Sequence, residues 1–326
     1  MTFKSNWEKS TEHFELPALL IEAMVKCAMP AKKLATHKLL SGGCANLNVK
    51  ITVEGEQHPF ILRVYLRDKE AAFREQKLAA LIKKSIPIPE VYFIGEREGY
   101  QFSITQYMSG VSLRDLLLKE PPQHIKTLLT EAGLLLSRLQ NYRFSTAGFF
   151  DANLHISHPL SLSAHISFAE GCLEHKSVIK QIGREQIAKI SYYLHKNQNL
   201  LPTNAKNYLV HGDYDPANIL VDKVNKQWHI TAVLDWEFAF AGSPLWDVAN
   251  MLRYAHHMPP VFKESFLLGL KEGGVHLPEN WLVSIHLFNL ISLLDILVRS
   301  SPSERPNQRQ DIRELITYII QQLDAV

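Results

Sequence analysis

The chain has 326 residues and a mass of 37.2 kDa, about twice the usual single-domain length, so two lobes and a substantial core are expected. Lys+Arg 35 against Asp+Glu 33 leaves a net charge of +2, with 46% hydrophobic and 21% charged residues. This balance excludes disordered and collagen-like classes and argues against a polybasic nucleic-acid binder or membrane-surface anchor. Cys27, Cys44 and Cys172 are too widely spaced for a metal or disulfide framework and read as free thiols of a reducing compartment. The first residues, MTFKSNWEKSTEHFELP, contain no apolar signal segment, so the expected location is the cytoplasm.

Short β-leaning runs at 36–41, 48–54 and 59–66 are bounded by Gly42-Gly43 and Glu54-Gly55-Glu56. Residues 68–84 place Ala71, Ala72, Leu78, Ala79 and Ile82 near helical spacing, and Pro87 and Pro89 end that helix. Strands follow at 91–94 and 101–106. Beyond Tyr107-Met108-Ser109-Gly110 the periodicity becomes helical, as at 124–139 and 312–323. The pattern predicts an α+β fold with a β-rich N-terminal lobe, residues 1–108, and a mainly helical C-terminal lobe, residues 109–326. The most apolar stretch, 281–298, is interrupted by His286, Asn289 and Asp295. A membrane span needs about 20 clean apolar residues, so a buried core helix and no membrane partner are expected.

One island breaks the helical pattern. Apolar β runs at 208–210, 219–222 and 228–234 flank His211-Gly212-Asp213-Tyr214-Asp215-Pro216-Ala217-Asn218 and lead into Leu234-Asp235-Trp236-Glu237. A carboxylate and an amide five residues apart in a turn, with a second carboxylate after a nearby hairpin, suit phosphoryl transfer. That chemistry needs one carboxylate to take a hydroxyl proton and hard oxygen ligands for Mg²⁺ on the nucleotide phosphates. The order H-x-D-x-x-x-x-N, strand, Asp is the one protein kinases use.

The run HGDYDPANIL followed by VLDWEFAFAGSPLWDVANML resembles the aminoglycoside phosphotransferase and choline-kinase-like family. Its signature is HGD-x-x-x-x-N with a downstream D-W/F-E. The resemblance implies a bilobal protein-kinase-like fold and transfer of phosphate from ATP or GTP, with Mg²⁺, to a small-molecule hydroxyl. It makes Asp213 the catalytic base, Asn218 and Asp235 the Mg²⁺ ligands, and His211 a support for the loop. Asp215 and Glu237 could orient substrate or back the metal, or could stand in solvent. Asp247 reads as a helix-start carboxylate holding the loop.

The first third should then hold the nucleotide. Gly42 and Gly43 lie between two predicted strands, where a phosphate-covering turn belongs, although two glycines also make an ordinary hairpin turn. In 60–65, alternation puts Ile61, Arg63 and Tyr65 on one face and Phe60, Leu62 and Val64 on the other. A cation inside an apolar strand is costly unless paired, which points to Arg63 as the phosphate grip, where the family often has Lys. Glu75 is the expected ion-pair partner, with Glu70 one turn earlier as the alternative. Met108 falls at the hinge, where backbone groups would meet the base. Ile61, Met108 and Leu220 could wall it or simply be core.

The acceptor is less defined. Trp246-Asp247 follows 11 residues after Asp235, leaving little room for a peptide-docking platform, so a small-molecule hydroxyl acceptor is expected. A polyamine site would gather carboxylates, with Asp151, Glu170, Glu174, Glu237, Glu264 and Asp295 as candidates. A quaternary-ammonium site would want an aromatic cage, with Trp236, Phe238, Trp246 and Tyr254 available. A catalytically silent kinase-like binding module and a protein kinase are the alternatives to an enzyme acting on a small molecule. The retained Asp213, Asn218 and Asp235 disfavour the first, and the short connection disfavours the second.

Overall fold

A computed structural model describes residues 3–8, 16–40, 46–201, 207–300 and 304–325. Helix α1 (Ala18–Ala28) precedes strands β1 (Leu34–Leu39), β2 (Asn46–Val53) and β3 (Phe60–Tyr65). Helix α2 (Ala71–Ile82) comes next, and β4 (Val91–Arg97) and β5 (Tyr100–Gln106) complete the sheet. Among the described residues this sheet is antiparallel with order β1-β2-β3-β5-β4. Leu47, Val49, Ile51 and Val53 of β2 turn to one face together with Leu62, Val64, Phe102 and Ile104. There they meet Leu20, Ile21, Met24 and Val25 of α1 in a separate small core. Burying these alternating side chains on one face is what fixes the strand register. Ile61, Arg63 and Tyr65 sit at the alternate positions of β3, as the pattern of 60–65 predicts.

The remaining elements begin with β6 (Val111–Ser112), α3 (Leu113–Leu117), α4 (Lys126–Arg138), β7 (Arg143–Phe144), β8 (Gly148–Phe150) and β9 (Ile156–Pro159). Helices α5 (Leu162–Glu174) and α6 (Lys176–Lys196) lead to β10 (Asn207–Val210), β11 (Ile219–Val224), β12 (Gln227–Val233) and β13 (Phe240–Gly242). The chain continues through α7 (Leu245–Leu252), α8 (Pro260–Glu272), α9 (Trp281–Arg299) and α10 (Pro306–Asp324). The short strands pair as β7-β10-β13-β8-β9 and β12-β11-β6. The helices form one large core, to which Leu78, Ala79 and Ile82 of α2 and the following Ile86 and Ile88 also belong. Helix α2 is thus the part of the β-rich region that leans on the helical one.

Helix α9 is long and apolar enough to cross a membrane by length and composition, but 61% of its most apolar window is buried inside the molecule. Leu287, Leu290, Leu293, Leu294 and Leu297 are all enclosed, packed among α5, α6, α7 and α10. Its apolarity reflects a position at the centre of the helical core.

At the junction of the two regions, Gly110 has φ +127°, and a Cβ there would lie 2.5 Å from the Val221 carbonyl oxygen. Only glycine lets the chain pass so close to β11. This close approach lets Val111 and Ser112 pair with Val221 and Leu220.

Candidate active site

Strand β10 ends at Val210 and releases the loop 211–218 before β11 begins at Ile219. Asp247, in the first turn of α7, accepts the N–H of His211 through Oδ2 (2.7 Å) and of Gly212 through Oδ1 (3.0 Å). Trp246 Nε1 and Asn250 Nδ2 both donate to the Gly212 carbonyl, at 3.0 and 2.9 Å. Gly212 itself has φ +88°, and a Cβ would fall 2.3 Å from the Phe238 carbonyl oxygen. One helix start therefore clamps the loop from both sides.

His211 is fully enclosed, and burial drives its pKa below the ordinary value. The neutral ring donates from Nε2 to the Leu234 carbonyl (2.9 Å), leaving Nδ1 to accept the Asp213 N–H (3.2 Å). Both nitrogens are thus committed to holding the loop against the segment that carries Asp235.

Asp213 lies at the loop's open side with its side chain 31% exposed. Asn218 Nδ2 donates to its carbonyl (2.9 Å) and to its Oδ2 (3.0 Å). Lys4 Nζ stands 3.3 Å from its Oδ1 and is also ion-paired with Asp215 Oδ2. Burial works against the charge on Asp213, but Lys4 and Arg253 outweigh it and hold the carboxyl below its ordinary range. Asp213 is therefore ionised at neutral pH. Asp215 is buried rather than in solvent, and its Oδ1 accepts the Ala217 N–H at 2.7 Å.

Across the cleft, Arg63 Nη2 contacts Asp235 Oδ1 at 2.6 Å, Glu75 Oε1 at 3.2 Å and Glu237 Oε2 at 3.8 Å. Glu75, not Glu70, is the ion-pair partner on α2, and Tyr65 donates to its Oε2 at 2.7 Å. Glu70 stands at the start of α2. Asn46 Nδ2 donates to Glu237 Oε2 at 2.6 Å. Three carboxylates thus crowd one guanidinium. Burial and the neighbouring Asp235 push the Glu237 carboxyl up to about 8. Arg63 Nε is buried with no hydrogen-bond partner among the described residues. Arg74, also buried, donates to Asp68 (2.6 Å) and to the Glu237 carbonyl (3.2 Å), tying α2 to the segment after Asp235.

The other expected positions are distributed as follows. Met108 is half-buried just beyond β5, and Ile61 and Leu220 are likewise half-buried. Gly42 and Gly43 lie outside the described residues. Three of the carboxylates expected to gather for a polyamine are occupied separately. Asp151 accepts the N–H groups of Asn153 and His155, Glu170 pairs with His195, and Asp295 pairs with Arg299. The aromatics also part ways: Trp236 packs on His211, Trp246 on Phe240 and Phe288, and Tyr254 on Phe3, while Phe238 is exposed. Lys4, Asn46 and Arg253, which join the site from distant positions, carry no local sequence signal. A cation, an amide or a helical Arg is unremarked until the fold brings it in.

Sheet, cleft and loop together have the organisation of a kinase-like phosphotransferase fold. Residues 36–279 match the model of the Phosphotransferase enzyme family, and the chain belongs to that family. It shares its fold with a thermostable mutant of aminoglycoside phosphotransferase APH(4)-Ia solved with AMP-PNP and hygromycin B, with TM-score 0.70 at 20% identity over 92% of this chain and 98% of that one. Choline kinase LicA from Streptococcus pneumoniae matches with TM-score 0.61 at 13% identity, over 92% and 98% of the two chains. Macrolide 2'-phosphotransferase MphH from Brachybacterium faecium gives 0.63 at 16% identity over the same shares. The α+β class expected from sequence is the one these structures share. Among curated proteins, Acyl-CoA dehydrogenase family member 11 of Mus musculus is 34% identical over 83 residues, which is 26% of this chain and 10% of that protein. The match therefore spans about a tenth of that relative's length.

Proposed function

We propose that the chain transfers the γ-phosphoryl group of ATP, taken up with Mg²⁺, to a hydroxyl of a small molecule, with GTP as the alternative donor. The five-stranded sheet region grips the nucleotide, and the helical region, on whose core Phe3 packs, holds metal and acceptor. The reading rests above all on Asp213. Of the two carboxylates in the 211–218 loop it is the open one, oriented by Asn218 and held ionised, while Asp215 is buried. The acceptor hydroxyl donates to Asp213 and loses its proton there as its oxygen bonds to the γ-phosphorus. The bond from that phosphorus to the β–γ bridging oxygen breaks, and the electron pair leaves on the nucleoside diphosphate.

Arg63 is assigned to the phosphates, and its unpartnered, buried Nε is the donor a phosphate oxygen would satisfy. Glu75 orients it. Gly42 and Gly43 cover the phosphates, and the Met108 backbone meets the base, in line with the family resemblance. The donor set also fits a hard cation. Asn218 has its Nδ2 turned to Asp213, leaving its amide oxygen available, and Asp235 keeps one carboxylate oxygen beyond the Arg63 contact. Three carboxyls share one Arg63, and Glu237 keeps its proton up to about 8 for want of a second positive charge, which such a cation would supply. When bound, Mg²⁺ supplies charge neutralisation on the phosphates. The short path from Asp235 to Asp247 favours a small acceptor over a peptide.

Asp213→Asn should lower kcat by about 10²–10⁴-fold while Mg²⁺·ATP still raises Tm as in the wild type. Wild-type turnover by that variant would remove Asp213 from the mechanism and this reading with it.

A further inference from the structure

Lys4 lies 209 positions from Asp213 in the chain, yet its ammonium reaches both carboxylates of the catalytic loop. The contact is built, not incidental. Phe3 is buried in the large core, its ring centroid 5.5 Å from that of Tyr254 and 6.0 Å from that of Phe262. Trp7 Nε1 donates to Asp311 at 2.7 Å, and the Glu8 carboxylate accepts the N–H groups of Asn307 (2.8 Å) and Gln308 (3.2 Å) in the first turn of α10. These anchors hold Phe3 and Lys4 at φ +43° and +64°, left-handed conformations that are costly for a non-glycine residue. A segment resting loosely in the cleft would relax out of them.

We propose that Lys4 is a specificity-determining residue of the acceptor site, its ammonium filling the cation subsite made by Asp213 and Asp215, so that the acceptor admitted there carries no ammonium group of its own. The inference deepens the assignment of Asp213 as acceptor base and rests on it. Asp213 and Asp215 contribute two negative charges. Lys4 and the buried Arg253 offset them, and Arg253 itself donates to the neutral side chains of Asn289, Asn250 and Ser292. The loop is thus close to neutral before any acceptor arrives. Burial opposes the charge on Lys4, but the two carboxylates more than offset this and keep it protonated. An ammonium brought within about 4 Å of Lys4 would be repelled by about 1–4 kcal/mol, or roughly five- to a thousandfold in kcat/KM. A neutral or anionic hydroxyl compound meets no such term.

Lys4→Ala, Lys4→Met and Lys4→Arg test this, Met keeping most of the stem's packing where Ala would leave a gap. Binding of ethylammonium is measured by calorimetry. Phosphate transfer from Mg²⁺·ATP is measured on pairs matched in shape and differing in charge: glucose with glucosamine, and 3,3-dimethylbutan-1-ol with choline. Wild type and Lys4→Arg should bind no ethylammonium and should prefer the neutral partner. Lys4→Ala and Lys4→Met should bind ethylammonium, and their amine-to-neutral ratio of kcat/KM should rise at least about fivefold. Equal gain or loss on both members of each pair, ethylammonium binding equally to wild type and variants, or a wild-type preference for the amine would each overturn the assignment. Should no form transfer phosphate to these four compounds, the acceptor lies outside them, and the ethylammonium contrast alone decides the place of Lys4.

Discussion

Glu237 is where the charge imbalance around Arg63 becomes measurable as stability. Burial and Asp235 move its carboxyl from an ordinary 4.5 to about 8. An acid raised in this way is protonated in both folded and unfolded chains at low pH and costs nothing there. As pH climbs past 4.5 the unfolded chain gives up the proton first, so stability falls until pH passes about 8. At about 1.4 kcal/mol per pH unit, the interval corresponds to a loss of roughly 3–5 kcal/mol, against about 5–15 kcal/mol for a typical native protein. Glu237→Gln removes the titration and keeps an oxygen for Asn46 Nδ2. Urea unfolding of both proteins between about pH 5 and pH 8 should show the wild type losing roughly 3–5 kcal/mol more than the variant. Mg²⁺·ATP should flatten the wild-type curve, because an added cation restores the ionised carboxylate. Parallel curves for the two proteins would refute the argument that Glu237 bears the surplus charge.

Other substitutions test the supports of the site. Gly212→Ala forces a Cβ to within 2.3 Å of the Phe238 carbonyl oxygen at φ +88°; calorimetry should show a loss of about 2–4 kcal/mol and a Tm lower by roughly 4–10 °C. Asp247→Ala orphans the His211 and Gly212 N–H groups, at a cost of about 2–5 kcal/mol, and hydrogen exchange should register faster opening at those amides. Arg63→Met leaves Glu75 and Asp235 without their guanidinium. The expected loss is about 3–5 kcal/mol at pH 8 and less at lower pH, because burial raises the Glu75 carboxyl and its protonation removes one unpaired charge, and the Tm gain from Mg²⁺·ATP should vanish.

The parts of the site legible in the sequence are those whose chemistry lies close together along the chain. His211, Asp213 and Asn218 share one turn between two strands, so their spacing reads directly as geometry. Alternation in 60–65 likewise places Arg63 because a strand offers only two faces. Helix α1 escaped because its buried positions, Leu20, Ile21, Met24 and Val25, form a short pair-wise pattern just before an obvious β region. Strands β7, β8, β9 and β13 span only two to four residues each, too few for a period to show. Lys4 and Arg253 were invisible for a different reason: a cation's partner is set by tertiary packing, and neither has a carboxylate partner nearby in sequence. The aromatics near Asp235 cannot be sorted from sequence, since a cage and a core call for the same residue types; Trp236 and Trp246 pack in the core.

The pairing of Val111 and Ser112 with β11 has a mechanical consequence. Arg114 N–H also donates to the Pro216 carbonyl at 2.8 Å, and Val233 N–H to the Pro87 carbonyl at 2.8 Å. The stretches around 87 and around 111 are therefore both stitched to the frame that carries Asn218 and Asp235. If the cleft opens, the pivot falls at these two seams. The sheet swings and takes Arg63 with it, while Asp213, Asn218 and Asp235 keep their mutual spacing. Opening then costs the Arg63–Asp235 and Asn46–Glu237 contacts and leaves the 211–218 loop assembled.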